Sequence, residues 1–366
     1  MRAIAIGIMM VSCGAMALAT VTKADFGKTP DGRAVEVYTL TSGQVEARVI
    51  TYGAKIISIR APDRNGRVAD VVLGYDTLTE WLADGKTHFG AVVGRYGNRI
   101  AKGIFTLDGH TYQIPVNNNG NALHGGTAGF DKKFWNARLV PDGVEMTLIS
   151  PDGDMGFPGT LTAKVTYTLA KNSLTVRYQE TSDKPTIVNL TNHTYFNLTG
   201  DEEGDVLGHL VTLHAQAFTP TDSTLIPTGE IRGVQGTPMD FRTTHTIGER
   251  IESDYEQTKL AHGYDHNWVL DGKTGTLRQI AFVSEPKSGR TLTVMTTEPG
   301  VQFYTGNSLD GTFVGRHGKR YTKHMGFCLE TQHYPDSPNH PNFPSTVLRP
   351  GQIRSSTTVF QFGTAP

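Results

Sequence analysis

The run Gly326-Phe327-Cys328-Leu329-Glu330-Thr331-Gln332-His333-Tyr334-Pro335-Asp336 has the pattern of a short strand that leads into a proline-containing loop. Successive side chains of a strand point to opposite faces, so Phe327 and Leu329 share one face and Cys328 and Glu330 share the other. The apolar pair predicts that this strand packs on a core. Burying an unpaired carboxylate is costly, so Glu330 is predicted to be either a solvated residue or a working base in a pocket.

Short alternating segments of the same kind recur along the chain. Residues 35–40 and 45–50 alternate apolar and polar side chains around Thr41-Ser42-Gly43, which is a hairpin signal. The 366 residues include 41 glycines and 18 prolines, and Gly-containing pairs such as Asp108-Gly109 separate many later segments. This spacing predicts an all-β fold, a large antiparallel β-sandwich with more strands per sheet than an immunoglobulin domain.

Further strands are predicted at 55–60 and 71–74, and residues 77–83 are the main helical candidate, with Thr77 as the N-cap. The sequence shows neither a linker nor an internal repeat. We therefore expect residues 26–366 to form one large domain, which exceeds the usual size of a single core and so requires an extended sandwich.

The N-terminus differs in composition from the rest of the chain. An apolar run covers residues 3–19 and ends in small residues suited to cleavage. We predict that residues 1–24 contain a signal peptide, cleaved after Ala19 or Ala24, and that the protein is periplasmic or secreted. An uncleaved membrane anchor is the alternative, although the run is short for a spanning helix.

The two cysteines are Cys13 and Cys328. A lipoprotein signal that uses Cys13 is a further alternative, but the apolar run continues past that residue. Cleavage of the signal would leave Cys328 alone, so no intramolecular disulfide is expected in the mature chain. The formal net charge of −1 and the absence of a basic cluster argue against nucleic acid as a partner, and we expect no membrane partner for the mature chain.

Polar side chains occur in five places where strands and loops meet. The candidate residues are Asn98 and Arg99, His124, His193, Asp265 and Gln302. A surface arginine, a turn or a satisfied core histidine would explain each one taken alone. Together with Glu330 they form a set of neutral hydrogen-bonding groups, histidines and one carboxylate, which suits a neutral polyhydroxylated ligand and proton transfer.

His262 and His266 have the i,i+4 spacing that suits zinc on a helix, but Gly263 and the strand-like sequence after Asn267 count against that helix. Phosphate-binding loops, nucleophile elbows and dinucleotide-binding fingerprints are missing from the sequence.

Several motifs, in order from about Phe26 to Phe362, resemble the aldose 1-epimerases, or galactose mutarotases. The motifs that carry the resemblance are Asn98-Arg99-Ile100-Ala101-Lys102-Gly103, Leu123-His124-Gly125-Gly126, Asn192-His193-Thr194-Tyr195-Phe196-Asn197-Leu198, Tyr264-Asp265-His266-Asn267, Gly300-Val301-Gln302-Phe303-Tyr304-Thr305-Gly306 and Leu329-Glu330-Thr331-Gln332. The resemblance implies a β-sandwich with an open sugar cleft, and neither a metal nor a cofactor.

The resemblance also implies a role for each candidate residue. Glu330 is the expected general base, His193 the general acid and His124 an assisting histidine near the ring oxygen. The expected substrate-binding residues are Asn98, Arg99, Asp265 and Gln302. The implied reaction interconverts the α and β anomers of free hexoses such as glucose and galactose by ring opening and closure.

This mechanism requires a protonated His193 and an ionised Glu330, and we expect their mutual attraction to favour that state. Three alternatives remain at this stage: a non-catalytic sugar-binding module, a hexose-phosphate epimerase on the same fold, and a hydrolase or lyase that pairs Glu330 with Asp265. A sugar is the expected partner, and the chain is expected to be a monomer or a dimer. The preferred aldose is not determined.

Overall fold

The computed structural model describes residues 19–365, so most of the predicted signal, residues 1–18, lies outside the described residues. Within 19–365 the structure has 29 strands and two short α-helices. None of the helices in this range is long and apolar enough to cross a membrane.

The first half of the described chain contains short hairpins and one helix. In chain order its elements are β1 Thr20–Lys28, β2 Ala34–Ser42, β3 Val45–Ile50, β4 Lys55–Pro62, β5 Val68–Asp70, α1 Leu78–Ala83, β6 Val92–Val93, β7 Arg99–Ile100, β8 Ile104–Leu107, β9 His110–Gln113, β10 Ala122–Leu123, β11 Asn136–Val140, β12 Gly143–Ser150, β13 Leu161–Ala170, β14 Ser173–Ser182, β15 Thr186–Ile187 and β16 Thr191–Asn192.

The second half continues in the same manner with one further helix. Its elements are β17 Leu210–Leu213, β18 Ala215–Thr219, β19 Arg232–Gly233, β20 His245–Thr246, α2 Glu256–Ala261, β21 Asp265–Leu270, β22 Arg278–Ser284, β23 Arg290–Thr296, β24 Gly300–Tyr304, β25 Phe313–Val314, β26 Arg320–Tyr321, β27 Cys328–Gln332, β28 Val347–Leu348 and β29 Arg354–Thr364. Single 3₁₀ turns lie at Ala101–Gly103, Phe130–Lys132, Asp154–Gly156, Ile247–Glu249, Arg316–Gly318 and Ser337–Asn339.

Three antiparallel sheets form the body of the fold. The largest has nine strands in the order β11-β12-β13-β14-β29-β23-β22-β17-β20. The other two have five strands each, in the orders β1-β2-β3-β4-β5 and β19-β18-β21-β24-β27. The principal hydrophobic core contains buried side chains from all three sheets, for example Val49, Val165 and Phe303. The predicted all-β, antiparallel sandwich is therefore confirmed.

Local sequence signals placed most of these elements correctly. β2 and β3 form the predicted hairpin, with Ser42 opposite Val45 next to its turn. Helix α1 starts where predicted, because Thr77 and Glu80 form a reciprocal capping box. The strand predicted at 71–74 is wrong: β5 ends at Asp70, whose carboxylate accepts a hydrogen bond from the Val72 N–H and turns the chain out of the sheet.

Strand β1 and helix α2 are among the elements that were not predicted. Strand β1 pairs with β2 from Thr20 onward, ahead of Phe26, the predicted start of the domain. Helix α2 places His262 at its C-cap with a positive φ of 54°. Its few apolar residues give too weak a helical period to be detected in the sequence.

Strand β27 has the two-faced character that its sequence predicts. Phe327 and Leu329 lie in the principal core. Glu330 points to the opposite face, where it lies directly across from Gln302 on β24. It is 2% exposed, so the predicted choice between a solvated residue and a pocket residue resolves in favour of the pocket.

Candidate active site

A cavity of about 390 Å³ opens over the sheet that contains β21, β24 and β27. This volume lies in the range of pockets that hold small ligands. Most of the predicted site residues meet on its wall, although they come from distant parts of the chain. They are Asn98, Arg99, His124, His193, Asp265 and Glu330.

Gln302 is the one predicted substrate-binding residue that does not line the cavity. It is 2% exposed and lies between β21 and β27, where its side-chain amide donates a 2.6 Å hydrogen bond to Oδ1 of Asp265. Because this contact fixes one carboxylate oxygen, Gln302 is placed to orient Asp265. The other oxygen, Oδ2, lies 3.5 Å from the Arg99 guanidinium.

Two short ribbons deliver the loop residues to the cavity. β7 pairs with β10, which brings Arg99 opposite Leu123 and sets His124 beside Asn98. β16 pairs with β6, and the pairing continues through a hydrogen bond from the His193 N–H to the Ala91 carbonyl. The strand-end positions of these residues were visible in the sequence, but their partners were not.

His124 is held in a defined tautomer. The backbone N–H of Asn98 donates to Nδ1 of His124 over 3.1 Å, and the His124 N–H donates back to the Asn98 carbonyl. An imidazole nitrogen that accepts a hydrogen bond carries no proton, so the neutral ring holds its proton on Nε2. His124 therefore presents an N–H donor.

His193 and Glu330 face each other across the cavity floor. Nε2 of His193 lies 3.6 Å from Oε1 of Glu330, and both side chains are at least nine-tenths buried. Oε2 of Glu330 has no hydrogen-bond partner within residues 19–365. A buried, unsatisfied carboxylate oxygen is costly, so a bound hydroxyl group would relieve this cost.

The electrostatics of the site differ from the expected ion pair. Burial, followed by the nearby His88, lowers the pKa of His193 to about 3. Burial and the charge of Asp265 raise the pKa of Glu330 well above its usual value, against the opposing effect of Arg99. Burial in the pocket thus favours a neutral imidazole and a protonated carboxyl, because loss of hydration outweighs the attraction between groups 3.6 Å apart.

A third histidine, His88, belongs to the same cluster, and the sequence analysis did not reveal it. Nδ1 of His88 lies 3.0 Å from Oδ2 of Asp131, and its ring centre is 4.7 Å from that of His124. Burial raises the pKa of Asp131, but the hydrogen bond and charge of His88 outweigh burial and bring that pKa to about 2. Neither residue lies in a motif with a recognisable pattern, so no local signal could have found this pair.

The donor atoms of His124, His193 and Glu330 lie within 4.8 Å of one another, close enough to suggest a metal centre. The tautomer of His124 argues against one, because Nε2 would have to give up the only proton of a neutral ring to coordinate an ion. The His262/His266 pair does not form a metal site either. His262 lines the cavity, whereas His266 is buried in β21 with its Nδ1 accepting from the Asp265 N–H.

The cavity continues into a second, wider space of about 950 Å³. The two spaces share a wall that includes Lys86, His88 and Ser308. The first cavity is therefore open toward the second space and closed at the floor where His193 and Glu330 lie.

Known proteins share both the sequence and the fold. The sequence profile of the aldose 1-epimerase family matches residues 36–361. A galactose mutarotase from Bos taurus is 48% identical over 349 residues, covering 95% of this chain and 100% of the relative. An aldose 1-epimerase from Escherichia coli K12 is 40% identical over 339 residues, covering 91% of this chain and 96% of the relative.

A solved structure agrees with these matches. The crystal structure of an aldose epimerase homologue from C. elegans superposes with a TM-score of 0.82 at 31% identity, covering 89% of this chain and 98% of that chain. The shared fold, the nearly complete coverage of both chains and the level of identity agree. The chain therefore belongs to the aldose 1-epimerase family.

Proposed function

We propose that this protein is a mutarotase, an isomerase that interconverts the α and β anomers of free hexoses such as galactose and glucose. The observation that carries the proposal is the buried pair of His193 and Glu330, 3.6 Å apart on the floor of a cavity of hexose size. The similarity to galactose mutarotases over 95% of the chain supports the same reaction.

Ring opening needs two proton transfers at neighbouring atoms of the sugar. The C1 hydroxyl must lose its proton and the ring oxygen must gain one as the C1–O5 bond breaks. We assign the first transfer to Glu330 as general base and the second to Nε2 of His193 as general acid. Each such transfer contributes about 10²- to 10⁴-fold in rate.

The cycle returns every proton to its origin. After opening, the carboxyl of Glu330 holds the proton from C1–OH, and Nε2 of His193 is unprotonated. Rotation about C1–C2 presents the other face of the aldehyde to O5. Closure then returns the O5 proton to His193 and the Glu330 proton to O1. His193 and Glu330 therefore end the cycle in the protonation states in which they began it.

The neutral His193 and protonated Glu330 that burial favours correspond to the open-chain stage of this cycle. Closing the ring moves one proton within the pair. Both stages hold the same number of protons, so the reaction itself does not require exchange with solvent. Sugar hydroxyls that replace water around Glu330 would stabilise the ionised stage.

The remaining residues would hold the hexose. The N–H of His124 at Nε2, the guanidinium of Arg99 and the amide of Asn98 can donate to hydroxyls, while the carboxylate of Asp265 can accept from two of them. Gln302 would act through Asp265, which it orients. Positioning of this kind brings the reacting atoms within reach of both catalytic groups.

Polarimetry on freshly dissolved α-galactose and α-glucose tests the proposal directly. The protein should speed the drift in optical rotation in proportion to its concentration. An unchanged drift with bound sugar would instead make this chain a sugar-binding module. Galactose 6-phosphate serves as a comparison substrate, and a strong preference for it would indicate a hexose-phosphate epimerase.

The pH dependence of kcat/KM gives an independent prediction. His193 has a pKa lowered to about 3 and Glu330 a raised pKa, so between these values the pair keeps its shared proton. We expect no acidic limb at the usual histidine pKa of about 6.5 and a loss only as the pH approaches about 3. The basic limb should mark release of the shared proton, well above the usual glutamate pKa.

Initial rates from pH 3 to 9, corrected for the uncatalysed reaction, would check this profile. A limb near 6.5 that persists in His88→Gln would contradict it, because it would show His193 titrating like an exposed histidine. His88→Gln is the control, since the His88 ring belongs to the same cluster, with its centre 5.8 Å from that of His193.

We also propose that the N-terminal segment exports the protein to the periplasm or the medium. β1 begins at Thr20, so cleavage after Ala19 leaves the strand whole, whereas cleavage after Ala24 removes its first five residues. We therefore expect an N-terminus at Thr20 when the protein purified from the native host is analysed by mass spectrometry. A chain that keeps Met1 and stays with the cytoplasmic fraction would contradict export.

The domain and assembly proposals are tested on the same sample. Residues 26–366, together with the start of β1, should unfold in one cooperative thermal transition if they form a single domain. Size-exclusion chromatography with light scattering should give a monomer or a dimer.

A further inference from the structure

Cys328 lies two residues before Glu330 on β27 and faces the same side of the strand. Its side chain is fully buried, and its sulfur is 3.6 Å from Nδ1 of His193. Within residues 19–365 this is the one side-chain hydrogen-bond contact that Nδ1 makes. The thiol therefore contacts the imidazole at Nδ1, whereas Glu330 lies near the other ring nitrogen, Nε2.

The catalytic cycle places a requirement on Nδ1. Nε2 of His193 must lose its proton when the ring oxygen is protonated, and it must regain a proton when the ring closes. A neutral imidazole has one N–H, so Nε2 can be unprotonated only if Nδ1 keeps its proton at that stage. That Nδ1–H is buried, and it needs an acceptor.

We propose that Cys328 is a positioning residue whose sulfur accepts the Nδ1–H of His193, so that Nε2 remains the nitrogen that exchanges protons with the sugar. This inference rests on the proposed mutarotase mechanism. It adds a residue that controls the tautomer of the acid without touching the substrate.

The aromatic contacts of His193 do not select a tautomer. Its ring stacks on Tyr195, with centroids 5.1 Å apart and planes at 23°, and it meets His124 edge-on at 5.1 Å. Stacking fixes the plane of the ring but is nearly the same for both flips about the Cβ–Cγ bond. The sulfur at one edge and the carboxylate at the other distinguish the two nitrogens.

An uncharged sulfur also suits a strong acid. A carboxylate at this position would stabilise the imidazolium and make it a weaker proton donor. Burial and the charge of Glu330 raise the pKa of the Cys328 thiol well above its usual value, so the sulfur stays neutral. A neutral thiol is a weak acceptor, which holds the Nδ1 proton without strongly favouring the charged ring.

Two variants and one spectrum test the proposal. Cys328→Ser replaces the sulfur by another acceptor, and Cys328→Val removes the acceptor while keeping a side chain of similar size. We expect kcat to fall about 3- to 10-fold in Cys328→Val with little change in KM, and to return to within about 2-fold of the wild type in Cys328→Ser.

The second readout is the tautomer of His193, because a change in packing alone would not alter it. Long-range ¹H–¹⁵N spectra of the full protein, assigned with His193→Gln, should show His193 as the Nδ1–H form in the wild type and in Cys328→Ser. Cys328→Val should show the Nε2–H form or a mixture. The wild-type spectrum does not depend on either Cys328 variant, so the test stands even if Cys328→Val fails to fold.

The inference is overturned if wild-type His193 is in the Nε2–H form, or if Cys328→Val keeps both the wild-type kcat and the Nδ1–H form. Failure of the proposed function would look different, since the wild type itself would then not accelerate the polarimetric drift.

Discussion

Replacing Glu330 by glutamine should lower kcat by about 10³- to 10⁴-fold while changing KM only a few-fold. The amide has nearly the shape of the carboxyl, but it cannot take the proton of the C1 hydroxyl. Among residues 19–365, Glu330 is the one carboxylate that lies within 4 Å of a ring nitrogen of His193, at 3.6 Å. The measurement is polarimetry under saturating and limiting α-galactose.

Folding should not suffer from this substitution. Glu330 has a raised pKa in the folded protein, against a usual value of 4.5. Between the two pKa values the unfolded chain has released a proton that the folded chain still holds, so the free energy of unfolding falls as pH rises. A neutral amide removes this dependence, and we expect Glu330→Gln to melt at or above the wild-type temperature at neutral pH.

Glu180→Gln provides a matched control. Glu180 is 3% exposed on β14, and it does not line the cavity. Burial raises its pKa to about 8, so the carboxyl is mostly protonated at neutral pH and glutamine resembles it. We expect wild-type kcat for this control. Near-normal turnover in Glu330→Gln would refute the assignment of the base.

Replacing His193 by glutamine should lower kcat by about 10²- to 10⁴-fold, again with a small effect on KM. The amide can donate a hydrogen bond toward the ring oxygen, but it cannot transfer a proton. Opening and closure pass through the same transition state, so the loss should be equal in the two directions. Rates measured from the α and from the β anomer should fall by the same factor, because the equilibrium ratio must stay unchanged.

The control for this variant is His209→Gln. His209 is also buried and has a lowered pKa of about 4, because burial outweighs the charge of Glu285, but it lies outside the cavity. Its variant should turn over normally once correctly folded. Partial recovery of His193→Gly by added imidazole would support the acid role, and unchanged turnover in His193→Gln would contradict it.

The double variant Glu330→Gln/His193→Gln separates one concerted step from two independent ones. If both protons move in the same step, removing the second group adds little to the loss caused by the first. If the effects multiply fully, the groups act in separate steps and the shared-proton description is wrong.

Local sequence was sufficient for most of the strands. Alternation placed β2, β3 and β27, and the capping pair of Thr77 and Glu80 placed α1. The same alternation assigned Glu330 and Leu329 to opposite faces. Segments without a clear period, such as α2 and β1, escaped prediction because their character comes from what they pack against.

The sequence by itself determined the all-β class, the family and most of the polar residues that line the cavity. Tertiary structure alone decided that residues 193 and 330 meet on one cavity floor, that Gln302 stands behind Asp265, and that His88 and Asp131 join them. Strand pairing between distant segments brings these groups together, and the same packing removes their water. Because hydration sets the charge of a carboxyl or an imidazole, the proton placement in the site is a property of the fold and cannot be read from residue types.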